Sequence, residues 1–270
     1  MKMCGLVVGV AGLALAGTAL GQTGTGFTIS DGDVFFTQVN SPTSGTGTVS
    51  GAAFRVNGAT GLDHVFETWW WFRVEGDTRE FALNNAAGTV AAGNTATTTW
   101  NMAGAAGGSP YAFSAVLTYT VTDTGENLGQ VAQSMVITNT GSDAITLNLF
   151  QYTDFDVNGT SSTDSATGGL DGITISDGPF TILYQGVGAS AYQVTTFATL
   201  RGLLTNTTVD NLNNTGLPFG PGDFTGGFQW TLTLGAGEST TVMASMAVIP
   251  TPASLALLGL GGLAAARRRR

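Results

Sequence analysis

The sequence predicts an all-β protein: an antiparallel β-sandwich in a single large domain, flanked by an N-terminal signal peptide and a short apolar C-terminal helix. Three observations lead to this prediction. Short runs rich in Val, Ile, Thr and aromatic residues alternate with clusters of Gly, Asn, Asp and Ser. The central part shows no helical periodicity. With 270 residues, 43% hydrophobic and 10% charged, the chain can bury a sizeable core.

The clearest strands lie in the middle of the chain. Residues 111–122 alternate, with Phe113, Leu117 and Val121 on one predicted face and mostly threonine on the other. Residues 129–140 and 144–157 follow after short polar turns, which is typical of an antiparallel meander. The remaining predicted strands are residues 33–39, 51–57, 64–75, 80–83, 97–102, 173–176, 180–185, 192–197, 227–234 and 239–248.

The predicted organisation has three parts: a signal peptide over residues 1–21, a β-sandwich domain over 22–248 and a sorting tail over 249–270. Strand signals continue through the middle part with no linker, which favours one domain. Two smaller sandwiches divided around residues 160–172 are the alternative.

The charges are unevenly distributed along the chain. Lys2 and four C-terminal arginines account for five of the nine cations. The predicted mature chain up to residue 266 carries four arginines and all eighteen acids, a net charge of −14, and it contains neither lysine nor cysteine, since Cys4 lies before residue 22. Nucleic acid is therefore excluded as a partner, because phosphate binding needs clustered cations. Disulfide and thiol chemistry are excluded for this part as well.

The N-terminus has the pattern of a secretory signal peptide. Lys2 precedes an apolar run over residues 6–20, and Ala19 and Gly21 occupy the −3 and −1 positions of a small-x-small cleavage site. The run is short and interrupted by glycine, compared with about 20 apolar residues for a membrane span. We expect an exported protein whose mature chain begins near Gln22.

The C-terminus combines a proline motif, an apolar segment and a basic end. Pro250-Thr251-Pro252 ends the last predicted strand, and residues 253–266 would span about 21 Å as a helix, less than the roughly 30 Å hydrocarbon core. Four arginines follow, which the positive-inside rule would hold in the cytoplasm. They are Arg267, Arg268, Arg269 and Arg270.

This tail resembles the PEP-CTERM sorting signal, also labelled the ice-binding-protein C-terminal domain, although Pro-Thr-Pro stands where that name implies Pro-Glu-Pro. The resemblance covers residues 249–270. It implies an exosortase-type sorting enzyme as a partner and transient membrane anchorage by the helix. It also implies a final location in the bacterial cell envelope or the exopolysaccharide matrix. An ordinary tail anchor is the alternative.

One loop has carboxylates at calcium-binding spacing. Asp154, Asp156 and Asn158 alternate before Gly159, as in the first half of a calcium loop, and Asp164 follows. The twelfth position holds serine instead of a bidentate glutamate. The sequence therefore predicts a possible Ca²⁺ cofactor with these four residues as ligands, and an ordinary Asp/Asn-rich turn is the alternative.

The run Trp69-Trp70-Trp71-Phe72 suggests two further alternatives. Alternation along a strand places Trp69 and Trp71 on one face and Trp70 and Phe72 on the other. One pair is expected in the core. The other pair, Trp69 and Trp71 or else Trp70 and Phe72, either is buried too, as is commoner for aromatic residues, or forms an exposed platform for sugar rings.

Residues suited to catalysis are few. His64 is the single histidine of the chain, and the Gly-x-Ser-x-Gly nucleophile motif is absent. Eighteen acids leave carboxylate pairs for glycoside hydrolysis open. We predict no catalytic residues and a protein that is not an enzyme. The expected function is a structural or adhesive role in the envelope or matrix, with extracellular polysaccharide as a partner. The alternatives are a carbohydrate-binding module and, less favoured, a polysaccharide-degrading enzyme.

Overall fold

Strands account for most of the described chain. A computed structural model describes residues 25–40, 51–84, 86–101 and 113–251. The strands are β1 (Thr25–Asp31), β2 (Val34–Asn40), β3 (Ala52–Arg55), β4 (Val65–Val74), β5 (Phe81–Ala82), β6 (Gly88–Ala92), β7 (Thr95–Trp100), β8 (Phe113–Gly125), β9 (Leu128–Asn139), β10 (Ile145–Phe155), β11 (Asp164–Gly169), β12 (Gly172–Asp177), β13 (Phe180–Val187), β14 (Ala191–Thr196), β15 (Phe219–Gly222), β16 (Phe224–Leu234) and β17 (Ser239–Ile249). Within the described ranges one helix, α1 (Thr199–Thr205), follows β14, and one 3-10 turn, Val157–Gly159, follows β10.

Two large antiparallel sheets form the sandwich. The nine-stranded sheet has the order β15-β11-β12-β13-β17-β9-β8-β7-β6, and the five-stranded sheet has the order β14-β16-β10-β4-β5. Strands from both sides of residues 160–172 contribute to each of these sheets, and the buried apolar residues form one continuous cluster. The predicted all-β sandwich is confirmed.

Side chains from the two sheets interlock across the core. Trp70 of β4 donates its indole N–H to Gln133 of β9 over 2.7 Å. The ring of Tyr184 in β13 packs against Phe228 of β16 with centroids 4.8 Å apart. Buried aromatic rings such as these remove large apolar areas from water, which supplies much of the stabilisation of a sandwich core.

A third sheet, of three strands in the order β1-β2-β3, covers part of β8. The ring of Phe36 stacks on Tyr119 at 5.3 Å. Asp123 accepts a hydrogen bond from the backbone N–H of Asp33, and its own N–H donates to the carboxylate of Asp31, both over 3.0 Å. These paired bonds fasten the β1–β2 turn to the end of β8.

Several predictions from the sequence can be compared with these elements. The predicted last strand ends before Pro250, as β17 does. Helix α1 was missed because its seven residues are too short for a periodic pattern, and β1, β6, β11 and β15 were also missed. The predicted signal cleavage site at Ala19 and Gly21 lies outside the described residues.

The sorting tail is described only at its start. Pro250 and Thr251 lie within the described residues. The rest of the motif, Pro252, the apolar segment 253–266 and the arginines at 267–270 lie beyond them. Within the described ranges, no helix is long and apolar enough to cross a bilayer.

Candidate functional site: an acidic–aromatic cleft

Asp154 is a carboxyl group held inside the sandwich near the end of β10. In the five-stranded sheet it lies opposite Glu67 of β4 on one side and Thr225 of β16 on the other. Its exposed fraction is 1%, and its Oδ1 atom has no hydrogen-bond partner among the described residues. A buried polar atom without a partner is uncommon and marks a place where a ligand or proton can bind.

The backbone beneath Asp154 is held by a buried polar network. The side-chain amide of Gln151 donates to Thr68 over 2.7 Å and to Thr153 over 2.9 Å. The hydroxyl of Tyr184, from the opposite sheet, donates to the side-chain oxygen of Gln151. Asp154 therefore projects from a rigid part of the fold.

Two more carboxylates join Asp154 because of strand pairing. Phe155 of β10 lies opposite Phe224 of β16, so the residues just beyond them, Asp156 and Asp223, meet at the same end of the sheet. One carboxylate oxygen from each of the three aspartates lies within 4.8 Å of the others. Asp156 and Asp223 are half-buried.

Together with aromatic rings, these acids line a cleft of about 210 Å³. Its wall includes Phe66 of β4, Phe197 between β14 and α1, and Ser161. The two rings lie edge to face with centroids 6.3 Å apart, and Phe66 is 51% exposed. We call this set of six residues, three aspartates, two phenylalanines and one serine, the acidic–aromatic cleft.

The carboxyl groups of the cleft make one another harder to ionise. Burial, followed by the charges of Asp223, Asp156 and Glu67, raises the pKa of Asp154 to about 9. Burial also raises the pKa of Asp156 and of Asp223, and the charge of Asp223 adds to the shift at Asp156. If all three aspartates were ionised, their negative charge would exceed what the surrounding side chains compensate.

The charge of Arg201 in α1 acts on this group, because it opposes the rise in the pKa of Asp154. Its guanidinium pairs with Glu67 over 3.1 Å and lies over the Phe197 ring, 5.0 Å from the centroid. The helix thus contributes a charge to Glu67 and a packing surface to one wall of the cleft. The three aspartates have no ion pair with an arginine in the described chain.

The predicted calcium ligands separate into two groups. Asp154 and Asp156 come together in the cleft, and Asp223, which the sequence prediction did not include, is their third partner. Asn158 has a left-handed backbone with φ of 62°, and its side-chain amide lies beside Gly178. The sequence signal for Asp223 was weak: it is one acid just before a strand.

Asp164 begins β11 and is not one of the three clustered aspartates. It is completely buried, and neither carboxylate oxygen has a hydrogen-bond partner within the described chain. Burial, followed by the charges of Asp177, Asp156 and Asp223, raises its pKa to about 8. It therefore lies close enough to the cleft to be affected by its charge.

The structure corrects the alternative of an exposed tryptophan platform. Trp69 and Trp71 are 2% and 0% exposed. Trp69 donates its indole N–H to the carbonyl of Leu83 over 2.7 Å, and Trp71 packs edge to face against Tyr152. Both faces of β4 are covered, so neither ring can stack on a sugar. Among the described residues, the exposed aromatic side chain is instead Phe66, at the cleft.

His64 is fully buried and does not belong to the cleft lining. Its Nδ1 accepts a hydrogen bond from the backbone N–H of Asn158 over 3.2 Å, and its ring packs against Phe180 at 4.7 Å. Burial lowers its pKa to about 4. The residue is a neutral part of the core that supports the 3-10 turn after β10.

A second cavity, of about 290 Å³, lies between the β11–β12 turn and the end of β13. Asp171 is the sole ionisable residue in its described lining, which is otherwise made of Leu170, Gln185, Gly186, Val187, Gly188 and Ala189. It offers fewer groups for chemistry than the acidic–aromatic cleft.

The fold and the cleft together define an antiparallel β-sandwich with a surface pocket of carboxylates and aromatic rings. The sequence matches no family model and no curated protein. In fold, the chain is similar to a bacterial glucoamylase complexed with acarbose, with a TM-score of 0.51 and 11% identity. That alignment covers 96% of this chain and 36% of the glucoamylase, so the chain spans about a third of that protein.

The fold is also similar to that of a putative aldose 1-epimerase from Escherichia coli K12. The TM-score is 0.50 and the identity 11%, over 84% of this chain and 99% of the epimerase. At such low identity the likeness establishes the fold alone. The fold is nevertheless one that carbohydrate-active enzymes use, and this finding overturns the prediction that the chain is not an enzyme. That prediction rested on the lack of a catalytic motif in the sequence, and residues that come together only through the fold leave no such motif.

Proposed function

We propose that the protein binds and acts on a saccharide in the acidic–aromatic cleft. The observation that carries this proposal is the placement of two accessible aromatic rings, Phe66 and Phe197, beside three carboxyl groups in one pocket. Aromatic rings pack against the apolar C–H faces of sugars, and carboxylates accept hydrogen bonds from their hydroxyl groups. The cleft combines both kinds of contact.

Carboxyl groups in one cleft are also the residues with which many carbohydrate-active enzymes perform acid–base chemistry. The proteins of similar fold are named as a glucoamylase and a putative aldose 1-epimerase. These names support saccharide chemistry of the same broad class for this chain. We propose Asp156 and Asp223 as the carboxylates that contact the sugar, because they are the more accessible of the three.

The experiment that tests this function measures binding and turnover together. D-glucose, D-galactose, maltose and acarbose are titrated into the purified full chain by calorimetry. Anomer interconversion and the release of reducing ends are followed by NMR. We expect binding of at least one sugar, weakened at least tenfold by Phe66→Ala, because the variant removes a large contact area.

Val90→Ala is a matched control, since Val90 is 45% exposed and lies on β6, outside the cleft. Its saccharide affinity should equal that of the wild type. Equal affinity of Phe66→Ala and wild type would show that the sugar binds elsewhere. Lack of binding by all four sugars and by polysaccharide from a bacterial matrix would contradict the proposal.

We propose in addition that the protein is exported and held in the cell envelope or exopolysaccharide matrix by its PEP-CTERM-like tail. Saccharide binding by the cleft would then give an adhesive role there. Two terminal sequence patterns support this location: the signal peptide ending at Gly21 and the tail at 249–270. Deletion of residues 250–270 should release the protein into the medium. Unchanged retention in the envelope would contradict sorting by the tail.

A further inference from the structure

We propose that Asp154, Asp156 and Asp223 form a Ca²⁺ site at the base of the cleft. Ca²⁺ is bound by oxygen atoms at about 2.3–2.6 Å, so two ligands of one ion can be up to about 5 Å apart. The three carboxylate oxygens lie within 4.8 Å of one another, which agrees with this limit. The set contains neither histidine nor cysteine, which disfavours zinc and other softer metals.

The second observation is the condition of Asp154. Its side chain is almost completely buried, it lines the cleft, and its Oδ1 has no hydrogen-bond partner in the described chain. Burying an unpaired carboxylate is unfavourable unless a cation or a hydrogen bond compensates it. A bound Ca²⁺ would compensate the buried carboxylate of Asp154.

The balance of charge also favours a cation. No arginine of the described chain forms an ion pair with the three aspartates: Arg55 pairs with Asp63, Arg73 with Glu80 and Arg201 with Glu67, and Arg79 donates to the carbonyls of Glu80 and Thr205. The charge of Arg201 compensates Asp154 only in part. The central part of the sequence, residues 22–248, contains no lysine. A metal ion can supply the charge that these side chains do not.

The proposed site differs from the loop that the sequence suggested. Asp154 and Asp156 remain ligands, Asp223 just before β16 replaces Asn158, and Asp164 stays outside the set. Each of the three aspartates offers at least one carboxylate oxygen to the ion. The rings of Phe66 and Phe197 and the hydroxyl of Ser161 are not needed for it. The site shares Asp156 and Asp223 with the proposed sugar contacts, but Ca²⁺ binding measured without sugar tests it separately from saccharide binding.

The test uses the purified full chain after treatment with a chelator. CaCl₂ is added during calorimetry, and thermal unfolding is followed with Ca²⁺ or with chelator. We expect one saturable site with a Kd on the order of 10⁻⁴–10⁻³ M, the range of extracellular calcium modules. The melting temperature should rise as Ca²⁺ exceeds the Kd, because the ion binds the folded state. MgCl₂ at the same concentration should produce a smaller effect, since Mg²⁺ requires shorter bonds.

Asp223→Asn is the principal variant because Asp223 is half-buried and lies outside the strands. It should weaken Ca²⁺ binding at least tenfold, and Asp156→Asn provides a second variant if the first fails to fold. Asp143→Asn is the control, since it removes the same charge from an exposed turn and should change the Kd less than twofold. Binding that does not saturate, or equal Kd values for Asp223→Asn and wild type, would overturn the proposal.

Discussion

Glu67 and Arg201 form an ion pair of 3.1 Å that connects β4 with helix α1 at the edge of the acidic–aromatic cleft. The Glu67 side chain is 9% exposed and that of Arg201 33%. The same guanidinium covers the ring of Phe197. The helix that the sequence did not reveal thus organises one wall of the cleft and neutralises the acid opposite Asp154.

Replacing Arg201 with methionine should therefore affect both stability and binding. Arg201→Met leaves Glu67 without its partner and removes the cation from Phe197, so we expect a loss of about 1 kcal/mol of unfolding free energy. Urea denaturation measures this loss. Saccharide affinity should fall as well, because the Phe197 ring becomes less well positioned.

Arg55→Met is the control for that experiment. Arg55 pairs with Asp63 in a comparably exposed position, 31% and 33%, and neither residue lines the cleft. It should leave saccharide affinity unchanged. If Arg201→Met binds saccharide as tightly as the wild type, the helix has no part in positioning Phe197.

A second ion pair, between Arg73 and Glu80, is much more deeply buried, with side chains 8% and 0% exposed. Glu80 also accepts the backbone N–H of Asp210 over 3.0 Å, and Arg73 donates to the side chain of Asn211 over 2.6 Å. The pair therefore fastens the segment after α1 to the five-stranded sheet. Loss of one partner would leave an uncompensated charge in the interior.

Glu80→Gln should accordingly reduce the unfolding free energy by about 3 kcal/mol, the typical result of breaking a buried pair. Arg55→Met breaks an exposed pair and should cost less than about 1 kcal/mol. Urea denaturation of both variants gives the comparison. Similar losses in the two would mean that burial of Arg73 and Glu80 does not strengthen their coupling.

The sequence was informative about strands because alternation is a local property. The pattern at Phe113, Leu117 and Val121 predicts a strand within residues 111–122, and β8 contains all three with buried side chains. Whether Trp69 and Trp71 are buried or exposed could not be decided from alternation. Alternation separates the faces of β4, but both faces are covered by other parts of the fold.

The cleft was predictable in part. Asp154 and Asp156 are two positions apart, so their proximity can be read from the sequence. Asp223 joins them through the pairing of β10 with β16, and Phe197 through the turn before α1. Such long-range contacts depend on which strands become neighbours. A single sequence does not specify that choice.

The buried histidine gives the protein a pH-dependent stability. The pKa of His64 is about 4 in the folded state, below its ordinary 6.5. Between these values the unfolded chain binds a proton that the folded chain does not, so lowering the pH from 6.5 to 4 favours unfolding. For this fully buried group the loss reaches about 3 kcal/mol.

Urea denaturation of wild type and His64→Gln between pH 4 and 7, both with chelator, measures this contribution. Asp154 and Asp164, whose pKa values are raised, change stability in the opposite direction over the same range, so the difference between the two proteins is the relevant quantity. That difference should shrink as the pH falls. A constant difference would show that His64 does not titrate below its ordinary pKa.

Gly186 of β13 lies in close contact with Phe228 of β16, across the interface between the two large sheets. A Cβ atom added at Gly186 would lie 2.5 Å from Cγ of the Phe228 ring. The ring is completely buried and packs against Tyr184, so it has little room to move. Gly186→Ala should therefore destabilise the fold by about 1–3 kcal/mol through overpacking.

Gly88→Ala makes the same chemical change in β6, where an added Cβ meets nothing within 4 Å. Its unfolding free energy should stay within about 0.5 kcal/mol of the wild type. Because both glycines lie in strands and both variants add one methyl group, the effect of backbone entropy is similar in each. The difference between them then measures the packing of the two sheets at Phe228. Equal unfolding free energies would mean that the sheets separate slightly to admit the methyl group and that the contact at Phe228 does not limit their distance.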